Sequence, residues 1–181
     1  MRINRPSLYA AFGKKEALFR KVVDRYSQGP AGYAEEALKE PTARGVVERF
    51  LRGAVEVNTT HPLSPGGCLM VQSALTCGDE AEPIRRELVS RRRTGEATLS
   101  ARFQRALEEG DLPAGSDPDG LARYVATVVY GMAVEAAGGA SRDELLGVVA
   151  TALRAWPTSK RGGAQNSTPA APRARRGRRR A

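Results

Sequence analysis

Between Pro118 and the glycine pair Gly138-Gly139 lies a stretch with almost no polar side. Leu121, Tyr124, Val125, Val128, Val129 and Met132 recur at helical spacing, and Ala122, Ala126, Tyr130, Ala133, Val134 and Ala137 fill the opposite side. Past its first turn only Arg123 and Glu135 are charged. A helix that is apolar all round has to be covered all round. One face can pack on the chain's own body. The other, read here as lined by the small residues Ala126, Ala133 and Ala137, needs a second cover. A copy of the same helix across a two-fold axis supplies one; burial inside a monomer core is the alternative.

The rest of the chain has the same helical grammar. Helices are expected at about 6–12, 14–28, 43–59, 68–77, 80–109, 118–137 and 142–156. Pro6 suits a first helical turn, because its missing N–H has no intrahelical partner there. Gly13 breaks the first helix, and Gln28-Gly29-Pro30 ends the second. Residues 29–40 stay ambiguous, with a short helical turn open at 34–39. Thr42 is an N-cap candidate, and Val46, Val47, Phe50, Leu51, Ala54 and Val57 form the stripe that follows it. His61 to Gly67 holds two prolines and two glycines and reads as a loop. Ser141 and Glu144 have the spacing of a capping box. No convincing strand or internal repeat is found, so the fold class is all-α.

Composition narrows the function. The tail, 158–181, carries +8 and residues 1–27 carry +5, which leaves −4 for the middle of a chain whose net charge is +9. A basic start on a mildly acidic body suits a module that faces nucleic acid; a solvated charge distribution would look the same. The tail has no apolar periodicity and is expected to be disordered. It could bind phosphates or merely solubilise the chain. Cys68 and Cys77 are the only cysteines and His61 is the only histidine. On one helix the thiols would sit roughly 13 Å apart, too far for a disulfide, and no zinc-ligand spacing is present. Cys68 at a helix start could sense redox state or could be a plain buried thiol. Neither a signal peptide nor a membrane-spanning run is legible, which predicts a cytoplasmic protein without membrane contact. Nucleophile motifs, clustered carboxylates and glycine-rich phosphate loops are missing, so an enzyme is not expected, nor is a cofactor.

The most informative segment is 5–19, RPSLYAAFGKKEALF. It is a short helix, a glycine break, and a second helix that opens on two lysines. Arg5, Ser7 and Tyr9 can hydrogen-bond phosphate oxygens or base edges. Lys14 and Lys15 stand where free helical N–H groups already favour an anion. Leu8 and Phe12 give the short helix an apolar side.

These residues closely resemble the DNA-binding end of the tetracycline-repressor-type (TetR) family. The matching positions are Pro6, Leu8, Tyr9, Phe12, Gly13, Lys15, Glu16 and Leu18. The resemblance implies that about 5–11 is the recognition helix and 14–28 the connector to a ligand-binding body. Tyr9 and Lys15 would contact phosphates, Lys14 would assist, and Arg5, Ser7 and Ala10 would face bases. It further implies a partial DNA-binding domain at 1–28, a helical ligand-binding and dimerisation domain at 29–157, and a tail outside the family at 158–181. The expected partners are double-stranded operator DNA, a small effector and a second copy of the chain, paired through the last two helices.

The implied function is a ligand-responsive repressor that leaves its operator when a hydrophobic or amphipathic effector binds. The pocket is expected among the helices at 43–59, 68–77, 80–109 and 118–137, with Phe50, Val57, Met70, Ala74, Phe103 and Tyr124 as candidate linings. For each, plain core is the reading favoured over a ligand contact. Two features depart from the family pattern. Met1 falls at the turn of the helix-turn-helix, where the family has two preceding helices; a start placed too far downstream is favoured over natural truncation. Lys14 stands where the family favours a small polar N-cap, so Gly13 could cap instead. The alternative function is a truncated ligand-binding and dimerising module without sequence-specific DNA binding.

Overall fold

The computed structural model describes residues 10–60, 66–76 and 81–159, and every regular element among them is helical. Residues 10–12 are helical. After them come α1 (Lys15–Gln28), a single 3-10 turn (Pro30–Gly32), α2 (Tyr33–Leu38), α3 (Ala43–Thr59), α4 (Leu69–Thr76), α5 (Glu82–Glu108), α6 (Pro118–Ala137) and α7 (Arg142–Ala155). The ambiguous stretch at 29–40 therefore resolves into the 3-10 turn and the short α2. His61, Cys77 and the tail from 160 onward lie outside the described residues, as do Arg5, Ser7 and Tyr9 of the expected recognition helix.

The helix starts follow from their caps. Thr42 accepts a hydrogen bond from the Gly45 N–H at 3.0 Å, and Asp117 accepts one from Asp119 at 3.1 Å. Ser141 and Glu144 form the full capping box, each accepting from the other's backbone N–H. At α1 the outcome differs from expectation. Lys14 holds the N-cap position in an extended conformation with no side-chain cap, while Gly13 sits before it at φ +79°. That left-handed backbone is where glycine is at ease, so Gly13 makes the break and leaves capping to its neighbour.

Helix α3 is the hub. It packs on α2, α6 and α7, and its Val46, Val47, Leu51 and Val55 are fully buried. Around it gather Leu99 and Phe103 of α5, Val125 and Met132 of α6, and Leu145 and Val149 of α7. Arg102 of α5 is buried here too; its Nη2 donates to the carbonyls of Glu40 and Pro41 at 2.8 and 3.1 Å, which anchors the α2–α3 turn to α5. A second, smaller cluster joins α1 to α5 through Val23, Ile84 and Leu88, with Phe19, Leu69 and Met70 against it.

The α6 helix needs the most correction. Ala126 and Ala133, expected on the open side, are buried within the chain, together with Ala122, Val125, Val129, Met132 and Ala136. Ala137 is exposed. The uncovered face instead carries Tyr124, Thr127, Gly131 and Val134, with Tyr124 39% and Val134 44% exposed. On α7, Gly147 and the 41%-exposed Val148 are open in the same way. Among the described residues no helix is long and apolar enough to cross a membrane.

Candidate effector cavity and connector helix

A cavity of about 430 Å³ lies where α2, α3, α5 and α6 meet the start of α4 and the end of α1. Its apolar wall comes from Leu38, Phe50, Met70, Val71, Leu99 and Val129. Its polar groups include the phenols of Tyr33 and Tyr130, the thiol of Cys68, Glu35 of α2, and Arg91, Arg92 and Glu96 from the middle of α5. Small residues there, Thr94 and Gly95, leave the space open. The volume falls within the range of pockets that hold small organic ligands.

Tyrosines define the inner end. The ring of Tyr33 meets Phe50 edge-on, with centroids 5.6 Å apart. Burial, and then the neighbouring Cys68 and Tyr130, push the Tyr33 phenol above its ordinary range. Burial first, and then Cys68, do the same to Tyr26. Tyr130 is raised as well, mainly by burial. All three phenols therefore stay protonated and keep an O–H to donate.

The position of Cys68 depends on the two glycines before it. A Cβ on Gly66 would stand 2.7 Å from the Ala136 carbonyl oxygen and 2.8 Å from that of Asn58. Gly67, at φ +111°, would place one 2.7 Å from the Ala133 oxygen. The chain thus runs directly over the backbone of α6, and the Gly67 N–H bonds the Asn58 carbonyl at 3.0 Å. The Cys68 carbonyl then accepts from Val71 and Gln72 and opens α4.

Gly53 does similar work beneath Tyr33. Its Cβ would lie 2.5 Å from Tyr33 Cδ2 and 2.9 Å from Tyr33 Cβ, so the ring could not simply swing away. Gly53→Ala is expected to push Tyr33 into the cavity and to cost about 1–3 kcal/mol by overpacking. Thermal denaturation of the variant beside the parent measures this; an unchanged midpoint would refute the close fit.

The cavity shares side chains with the joint between α1 and α5. Arg91 lines it, and its Nη2 reaches Asp24 of α1 at 2.6 Å and Glu87 at 2.9 Å. Glu87 also accepts from Arg20 of α1 at 2.7 Å. The hydrogen bond from Arg20, helped by that from Arg91, holds the Glu87 carboxyl below its usual range. Met70 belongs both to the cavity wall and to the apolar cluster under α1. At the other end of α1, Lys14 and Lys15 are exposed, and Lys21 covers the half-open ring of Phe12 at 5.5 Å. Ala10 is exposed on its helical turn.

The candidate linings divide. Phe50 and Met70 line the cavity. Phe103 does not: it is fully buried in the main core, its ring 5.2 Å from that of Trp156. Tyr124 faces outward on α6, and Val57 lies beyond the cavity wall. The side chain of Ala74 is outside the described residues. Tyr33, Tyr130, Arg91 and Arg92 were not picked out from sequence. Periodicity alone marks an arginine run on a long helix as wet, and gives no sign that part of it turns towards a cavity.

Comparison with known proteins adds four findings. The family described as "Tetracyclin repressor-like, C-terminal domain" matches residues 44–155. The HTH-type transcriptional repressor ComR of Escherichia coli (strain K12) is 31% identical over 154 residues, covering 84% of this chain and 73% of that protein. Among solved structures, the TetR family transcriptional regulator CifR, in a cysteine mutant complexed with 26bp double-strand operator DNA, superposes with a TM-score of 0.79. It is 41% identical, over 86% of this chain and 81% of that one. A protein from Rhodococcus sp. RHA1, 46% identical over 86% of this chain and 83% of that one, superposes with a TM-score of 0.64.

Proposed function

Because the chain belongs to the tetracycline-repressor-type (TetR) family of transcriptional regulators, we propose that it is a dimeric DNA-binding repressor whose grip on its operator is loosened by a small molecule in the cavity. One observation carries this reading: Arg91 and Met70 belong at once to the cavity and to the joint with α1. A ligand that displaces either side chain acts directly on the helix that leads to the DNA-facing end. The mechanism is a shift between two settings of α1, driven by whatever affinity difference the ligand has for them.

In this reading residues 1–28 form the DNA-facing segment, 29–157 the ligand-binding and dimerising body, and 158–181 a basic tail. Arg5, Ser7 and Ala10 read bases, and Tyr9, Lys14 and Lys15 hold phosphates. The uncapped start of α1 supports the last two roles. Its N-cap residue makes no side-chain hydrogen bond to the first turn, and Lys14 and Lys15 are both exposed at that end. The open stripes of α6 and α7 pair with those of a second copy, and the resulting two-fold axis matches palindromic half-sites.

A gel-shift titration on DNA flanking the chain's own gene tests the proposal. Specific retardation is expected, reversed by a cavity ligand. The double change Lys14→Ala, Lys15→Ala should weaken binding to all sequences alike and lower the salt dependence by about four released counterions, since each copy of the dimer loses both lysines. Equal affinity for flanking and scrambled DNA would replace this reading with the second one, a ligand-binding and dimerising module without sequence-specific DNA recognition.

A further inference from the structure

We propose that the cavity takes a small amphipathic carboxylate, with its anionic head on the Arg92 guanidinium and its apolar body against Leu38, Phe50 and Val129; this rests on reading the cavity as the effector site. The argument is one of charge accounting. Four ionic side chains line the space: Glu35, Arg91, Arg92 and Glu96. Arg91 is committed to Asp24 and Glu87. Glu96 is committed to Arg123 at 3.1 Å. Glu35 is exposed on α2, at the wet edge, where water satisfies it.

Arg92 is different. It is half-buried, and its guanidinium lies 5.3 Å from the centroid of the Tyr130 ring. Among the described residues it forms no ion pair. A cation–π contact engages no acceptor atom, so the guanidinium still has edge N–H groups to offer an anion. Those edges match a carboxylate in a bidentate fork. The phenols of Tyr130 and Tyr33, kept protonated by burial, line the same space and can donate to an anionic oxygen. A cationic head would instead meet Arg92, which has no carboxylate at ion-pair distance among the described residues.

The test uses three probes of one tail length: octanoate, octanamide and octyltrimethylammonium. Each is titrated calorimetrically into the intact chain at neutral pH and fixed ionic strength. Octanoate is expected to bind about tenfold tighter than octanamide, as one added charge-assisted fork implies. Arg92→Gln should erase that preference, so that octanoate and octanamide bind the variant alike. Arg92→Lys, which keeps the charge and loses the fork, should retain part of it. The proposal is overturned if octanoate and octanamide bind alike, if octyltrimethylammonium binds best, or if Arg92→Gln keeps the preference. Should none of the three bind, the effector-site reading falls, and the carboxylate with it.

Discussion

Gly131→Arg should give a chain that folds but no longer pairs, and operator affinity should fall by about three orders of magnitude or more, to the level of nonspecific binding. A Cβ at Gly131 meets nothing within 4 Å, so the substitution creates no clash inside one chain. Arginine is also the better helix former by roughly 0.5–1 kcal/mol, so α6 itself does not suffer. The new side chain projects from the stripe of Tyr124, Thr127 and Val134 that the chain leaves uncovered. In a two-fold pairing each guanidinium would be driven against the opposing copy, which brings its own, and both would lose water without gaining a partner. Gly147→Arg on α7, also open within 4 Å, should act alike. Sedimentation gives the mass, and circular dichroism shows whether the helices persist. The parent's melting temperature should rise with protein concentration and the variant's should not. A variant of undiminished mass would put the pairing surface elsewhere.

The face that Gly131 marks could not be read from sequence, and the reason is general to such helices. Amphipathic helices announce their buried side by contrast. Helix α3 does so, and its stripe of Val46, Val47, Leu51 and Ala54 is the observed core. In α6 both sides are apolar, so composition could not tell that Ala126 and Ala133 turn inward while Val134 turns out. The same limit bears on Phe103 and Tyr124, which lie outside the cavity lining. An aromatic residue on an apolar stripe can face a void or a packed neighbour, and only the partner helix decides. Caps were legible because their signal is local: Thr42 and the Ser141–Glu144 box each act within a few residues of themselves. The stretch at 29–40 lacked such a signal, and it supplies Tyr33, a residue of the cavity lining.

Gly67→Ala should be the most damaging single methyl in the body of the protein. Two costs add. The first is conformational: φ is +111° at this position, a region L side chains rarely adopt, and such backbone costs about 1–3 kcal/mol. The second is steric. The new Cβ would stand 2.7 Å from the Ala133 carbonyl oxygen, which belongs to the backbone of α6 and cannot rotate aside. Overpacking of this kind adds about 1–3 kcal/mol. The segment can escape only by lifting from α6, which breaks the bond from the Gly67 N–H to Asn58 and loosens the Gln72 amide from the Ala133 carbonyl at 3.2 Å. Cys68, Met70 and Val71 would lift with it, and they form one side of the cavity. The expected result is a loss of about 3 kcal/mol or more in chemical denaturation, together with loss of ligand-induced release in the gel shift. Gly53→Ala strains only the Tyr33 side of the same space, so its effect should be the smaller of the two. If Gly67→Ala keeps both the parent's stability and its response to ligand, the close approach of this segment to α6 does not exist in solution, and the cavity is bounded by something else.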